Sequence, residues 1–183
     1  YNGGLATSAI LTSPVGLALD SNNNLFIAEN NLEGSALRFV NRGTTAMTLL
    51  GQTVPAGGII RINKDALSSL TEDSTNPSEA YFYALQGIKW TSEGLYVVDS
   101  LGKNVPITRG VKTSRLRFIN LSASAVTFYA SSASPITVNP GEIKTIAGGS
   151  TDPSDVGDGL IATSAKLLGT TDVEVDPTTK DIY

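Results

Sequence analysis

The residues of this chain that could do chemistry are carboxylates, hydroxyls, lysines and arginines. Histidine and cysteine are both absent. That removes imidazole acid–base catalysis, Ser–His and Cys–His nucleophilic pairs, thiolate chemistry, disulfides and metal sites built on His or Cys ligands. Three aspartates, Asp152, Asp155 and Asp158, stand close together in a segment that also holds Pro153 and Gly157. Hard cations such as calcium take several oxygen ligands, and closely spaced aspartates can supply them. The spacing is not that of an EF-hand loop, so a calcium site is set against a plain solvated turn. Glu29 with Arg38, and Asp99 with Arg117, form a second constellation, discussed below. Serine and threonine are plentiful, yet a nucleophilic hydroxyl without histidine needs another base beside it, and no spacing singles one out. The glycine pairs Gly57-Gly58 and Gly148-Gly149 are followed by no Gly-Lys-Ser/Thr, so neither is a phosphate loop.

The elements that would position these groups are read from the hydrophobic pattern. In 183 residues with 40% hydrophobic content there is enough apolar matter for a core of single-domain size. No apolar run approaches the ~20 residues of a membrane-spanning helix. The net charge is −4 and the 13 basic residues are scattered, which disfavours nucleic acid and anionic membrane as partners. Few charges with much Ser, Thr, Asn and Gly suggest an extracellular or cell-surface protein. The opening Tyr1-Asn2-Gly3-Gly4 is neither an initiator methionine nor a signal peptide, so the expectation is a fragment of a longer protein.

Comparison of the chain with itself shows a repeat. Residues 15–29 hold two apolar runs around the turn formers Asp20-Ser21-Asn22-Asn23-Asn24, the pattern of a β-hairpin. The hairpin returns at 86–99, with Gly16 matched by Gly87, Leu17 by Ile88, Phe26 by Tyr96 and Glu29 by Asp99. A third run, 35–41, is matched by 114–120; a fourth, 46–50, by 125–129; a fifth, 54–62, by 138–146. Copy two has a longer connection, 100–113, read either as a functional loop or as a tolerated surface extension. A third copy begins with 159–167, which echoes 4–11, and with Asp172-Val173-Glu174-Val175-Asp176, which echoes 16–20; 181–183 falls where copy one reads Asn24-Leu25-Phe26. Runs such as 25–28 and 95–98 are apolar at successive positions, as suits sheets covered on both faces. Single helical turns are expected at most at 66–70 and 79–85. The matched acids and arginines read as a strand-to-strand ion pair built into every unit, or else as a polar binding surface. Trp90 replaces Leu19 and reads as core, with ligand stacking as the alternative. Tyr81, Phe82 and Tyr83 read as packing beneath a loop or as an exposed aromatic contact.

The segments 3–11, 14–20 and 24–30, together with Ile143-Lys144-Thr145-Ile146-Ala147-Gly148-Gly149 running into 157–159 and 162–165, resemble the NHL-repeat pattern of β-propellers. The resemblance covers most of the chain. The units are about twice as long as an ordinary NHL repeat, the excess (42–57 and 121–141) being an inserted hairpin between the family's third and fourth strands. The resemblance implies an all-β fold of propeller-type antiparallel blades: blade one at about 14–63, blade two at about 86–147, and the start of a third at about 171–183. It implies a non-catalytic scaffold or protein-binding module, whose partner is another protein or the remainder of its own chain. The alternatives are a propeller lyase or lactonase with its catalytic or metal-binding residues mostly elsewhere, and a structural subunit of a fibre or envelope layer. No cofactor is expected, calcium at Asp152, Asp155 and Asp158 being the one exception.

Overall fold

The computed structural model describes residues 3–30, 34–63, 73–100, 114–129, 134–150 and 159–183. It is all-β and antiparallel. Strands β1 (Pro14–Leu19), β2 (Leu25–Glu29), β3 (Ala36–Val40) and β6 (Ile59–Arg61) make one four-stranded sheet in that order. Strands β7 (Leu85–Trp90), β8 (Gly94–Asp99), β9 (Arg115–Asn120) and β12 (Ile143–Gly148) make a second. Between the third and fourth strands of each sheet stands a separate two-stranded hairpin, β4 (Met47–Leu49) with β5 (Gln52–Val54), and β10 (Val126–Phe128) with β11 (Ile136–Val138). The run at 54–62 is therefore two elements, the end of a hairpin and the last strand of a sheet. The stretch 79–85 is not a helical turn: a 3-10 turn occupies Pro77–Glu79 and β7 begins at Leu85. Residues 66–70 and most of the 100–113 connection lie outside the described residues.

Local chemistry explains the turns. Asp20 Oδ1 accepts hydrogen bonds from the amides of Asn22 and Asn24, each at 2.8 Å. Asn23 takes φ +61°, a left-handed conformation that asparagine tolerates better than most residues. Both first strands carry an irregularity of register near their glycine, between Pro14 and Gly16 and between Leu85 and Ile88. The segment leading into each sheet pairs with that sheet's last strand: Gly3 N–H donates to Ile59 O at 2.8 Å, and Ser74 N–H to Ile143 O at 3.1 Å. Asn41 and Asn120 hold the inserted hairpins. Asn41 Nδ2 donates to Thr45 O and Val54 O at 2.8 and 3.0 Å; Asn120 Nδ2 donates to Ser124 O and Val138 O, both at 2.8 Å. Each amide oxygen accepts a backbone N–H two residues on.

The sheets stack face to face. Phe26, Leu37, Phe39 and Ile60 of the first meet Ile88, Leu95, Val97 and Ile119 of the second, and Met47, Leu49 and Val54 of the first hairpin share that core. The step is repeated: Tyr96, Leu116 and Phe118 of the second sheet, with Val126, Phe128 and Val138 of the second hairpin, bury Val173 and Val175 of the following segment. Ring pairs mark the equivalence, Phe26–Phe39 and Tyr96–Phe118 each having centroids 4.9 Å apart and planes tilted 56° and 59°. The second sheet is buried on both faces. The first departs from that expectation, since the far face of β1 is open.

Tyr96 ties this packing to pH. Burial, and secondarily Glu93 and Tyr129, push its phenol from 10.0 up to about 12. Its contribution to stability is intact below pH 10 and is lost as pH rises from there through about 12, because the unfolded chain ionises first. Urea midpoints measured across pH 9–12 should therefore fall less steeply for Tyr96→Phe than for the native chain.

Candidate functional site

The first candidate is the pair of carboxylates ending the second strands. Glu29 Oε2 accepts from Arg38 Nε at 2.9 Å, and its Oε1 accepts the Thr12 amide at 2.9 Å. In the second sheet Asp99 Oδ2 lies 2.7 Å from Arg115 Nη2 and 3.5 Å from Arg117 Nη1, while Oδ1 accepts the Tyr83 and Ala84 amides at 2.8 and 3.2 Å. In both sheets the acid thus joins an arginine of the third strand to the last residues of the segment entering the first strand. The closer partner of Asp99 is Arg115, which stands directly across the sheet from it. Sequence comparison passed over Arg115 because its counterpart facing Glu29 is Ala36.

Aromatic side chains cover these cations. The Arg117 guanidinium sits 4.8 Å from the Phe82 ring centroid and that of Arg115 sits 5.4 Å from Tyr83; such contacts favour a desolvated guanidinium. Tyr81 and Phe82 are buried, and Arg117 Nη1 donates to Tyr81 O at 2.8 Å. The aromatic triplet 81–83 is thus packing rather than an exposed contact. Both carboxylates are sealed from solvent, and their oxygens already serve main-chain amides and guanidinium groups. A substrate has no access to them.

The second candidate is a cleft of about 700 Å3 where β1, the Gly87–Trp90 part of β7 and residues 171–174, the segment at the same repeat position, converge. Glycine brings them together. A Cβ on Gly16 would lie 2.6 Å from the Gln86 carbonyl oxygen, and one on Gly87 would lie 2.6 Å from the Asp172 Cα. At the rim, Lys89 Nζ donates to Glu174 Oε1 at 2.5 Å, an exposed pair worth at most about 1 kcal/mol. Asp172 adds a second carboxylate, and Trp90, Leu17 and Leu19 supply apolar wall. One amine and two carboxylates beside an aliphatic wall can orient a ligand with both charged and apolar groups. Nothing in the lining pairs a nucleophile with a base. Lys89 and Glu174 escaped the sequence reading, although they occupy one repeat position, that of Ala18.

Asp152, Asp155 and Asp158 lie outside the described residues. Among the described residues no cluster of three or more acidic side chains is arranged to hold a metal ion, and no helix is long and apolar enough to cross a membrane. No protein-family model matches the chain, and no curated protein is significantly similar to it.

Proposed function

We propose that this chain is part of a propeller-type array of blades of the NHL-repeat kind, serving as a non-catalytic protein-binding scaffold of a secreted or cell-surface protein. The observation that carries the reading is the cleft shared by three segments at one repeat position, β1, β7 and 171–174, joined by the close approaches that Gly16 and Gly87 allow. Its lining offers an apolar wall and charges of both signs but no pairing of nucleophile and base, which suits a peptide or protein segment better than a turnover reaction. An acidic chain with scattered basic residues favours a protein partner over a nucleic acid.

The test uses the single tryptophan of the chain, which lies in the cleft wall. Peptides selected on the immobilised protein from a displayed random library should shift Trp90 emission on binding, and Lys89→Glu should weaken them by about tenfold, a loss typical of one charged contact. Selected peptides that leave Trp90 emission unchanged would overturn the reading. So would stoichiometric calcium or zinc in the dialysed protein together with hydrolysis of ester or lactone substrates.

A further inference from the structure

The chain has one methionine and no cysteine, so Met47 carries its only sulfur. Met47 opens the first inserted hairpin, where it faces Val54 across β4 and β5. Its side chain is partly buried against the core between the two sheets. In the second hairpin Val126 stands in the same place, faces Val138 and packs on the second core. The position thus needs an apolar side chain, and the repeat gives no reason for sulfur.

What sulfur adds is an acceptor. Asn24 is 3% exposed, and its Nδ2 donates to Met47 Sδ at 3.7 Å. The same nitrogen donates to Asp20 Oδ2 at 2.9 Å, so both hydrogens of the amide are committed, one to a carboxylate and one to the thioether. Asn24 Oδ1 accepts the Arg42 amide at 2.9 Å, and the Asn24 main-chain N–H donates to Asp20 Oδ1. Asn24 therefore ties the turn between β1 and β2 to the start of the inserted hairpin, with Met47 as one of its partners. In the second sheet the corresponding joint is main-chain only, the amides of Leu121 and Ser122 donating to Glu93 O at 3.1 Å.

We propose that Met47 is an oxidation site whose conversion to the sulfoxide loosens the first inserted hairpin. Hydrogen peroxide is the oxidant: its O–O bond breaks as the S–O bond forms, the sulfur gives up two electrons, and the peroxide leaves as water. The product is polar and chiral where the core requires an apolar cover. The joint also dictates which epimer forms. A thioether sulfur has two lone pairs, and attack at one gives the opposite epimer from attack at the other. Asn24 Nδ2 occupies one of them, and 3.7 Å leaves no room for an oxygen between the two atoms. Oxygen is delivered to the other.

The folded chain treated with peroxide should gain one oxygen by intact mass, placed on Met47 by peptide mapping. After the product is unfolded, the two methionine sulfoxide reductases, each specific for one epimer, should differ by about threefold or more in the fraction they repair. Sulfoxide made on the urea-unfolded chain should be repaired equally by both. Peroxide should lower the urea midpoint of the native chain and leave that of Met47→Val, which copies the second hairpin, unmoved. Equal repair of sulfoxide made on the folded chain would overturn the inference. So would failure to take up oxygen at Met47, a native midpoint that peroxide does not move, or a Met47→Val midpoint that falls as far as the native one.

Discussion

Asp99→Ala is expected to destabilise the chain by about 3–5 kcal/mol, the cost of removing one partner from a buried ion pair. Against a typical total of about 5–15 kcal/mol, that is a large share of all stability. The single carboxylate lies within 3.5 Å of two buried guanidinium groups and also accepts two backbone amides at the entry to β7. Alanine leaves those donors short of the acceptor they share, and the low surrounding dielectric raises the cost of each. Asp99→Asn keeps the shape and can still accept from the amides, so it should recover part of the loss but remove the negative charge that Asp99 sets beside Arg115 and Arg117, leaving Arg117 with Asp73 at 3.7 Å. Glu29→Ala should cost less, about 1–3 kcal/mol, because Glu29 serves one arginine and one amide. Urea denaturation of the three variants tests the ranking. An Asp99→Ala loss no larger than that of Glu29→Ala would refute the account of this network.

Gly94→Ala carries the second large effect, roughly 3 kcal/mol or more. A Cβ there would stand 2.1 Å from the Ile119 carbonyl oxygen and 2.6 Å from Phe118 Cζ. Neither neighbour can yield. The carbonyl belongs to β9 in the middle of the second sheet, and Phe118 is fully buried between Tyr96 and Phe128. Gly87→Ala should be milder, since the atoms it meets belong to Asp172, in the segment that packs on the second sheet through few side chains. Thermal melts of the two variants should place Gly94→Ala well below Gly87→Ala. The reverse order would mean that the segment 171–183 is held more firmly than its packing indicates.

The sheets and the inserted hairpins were legible in the sequence because each occurs twice, and a matched pair of runs is stronger than either alone. Matching acids and arginines likewise led to Glu29 with Arg38, and to Asp99 with Arg117. The same method hid what the copies do not share. Arg115 faces Asp99 where copy one has alanine, and the charges of Lys89 and Glu174 stand where copy one has Ala18. Asn41 and Asn120 do recur, and the signal lay in a polar residue ending an apolar run at the same place twice. Its use, tying a hairpin to the strand it leaves, depends on carbonyls that only the folded chain brings within reach. The open face of β1 could not be read at all, because its residues are as apolar as their buried counterparts; exposure is a property of neighbours, not of composition.

The cores between successive sheets bear on how such a chain could have grown. Each interior is lined by one kind of surface from one copy and the complementary kind from the next, as a stud enters a socket. Duplicating a unit in the gene therefore adds a stud where a socket already waits, and no new partner has to evolve. What gets copied is a sheet, while selection acts on the seam between two of them. A substitution in either copy is tested against the adjoining copy first, Phe26 in the first seam and its counterpart Tyr96 in the second.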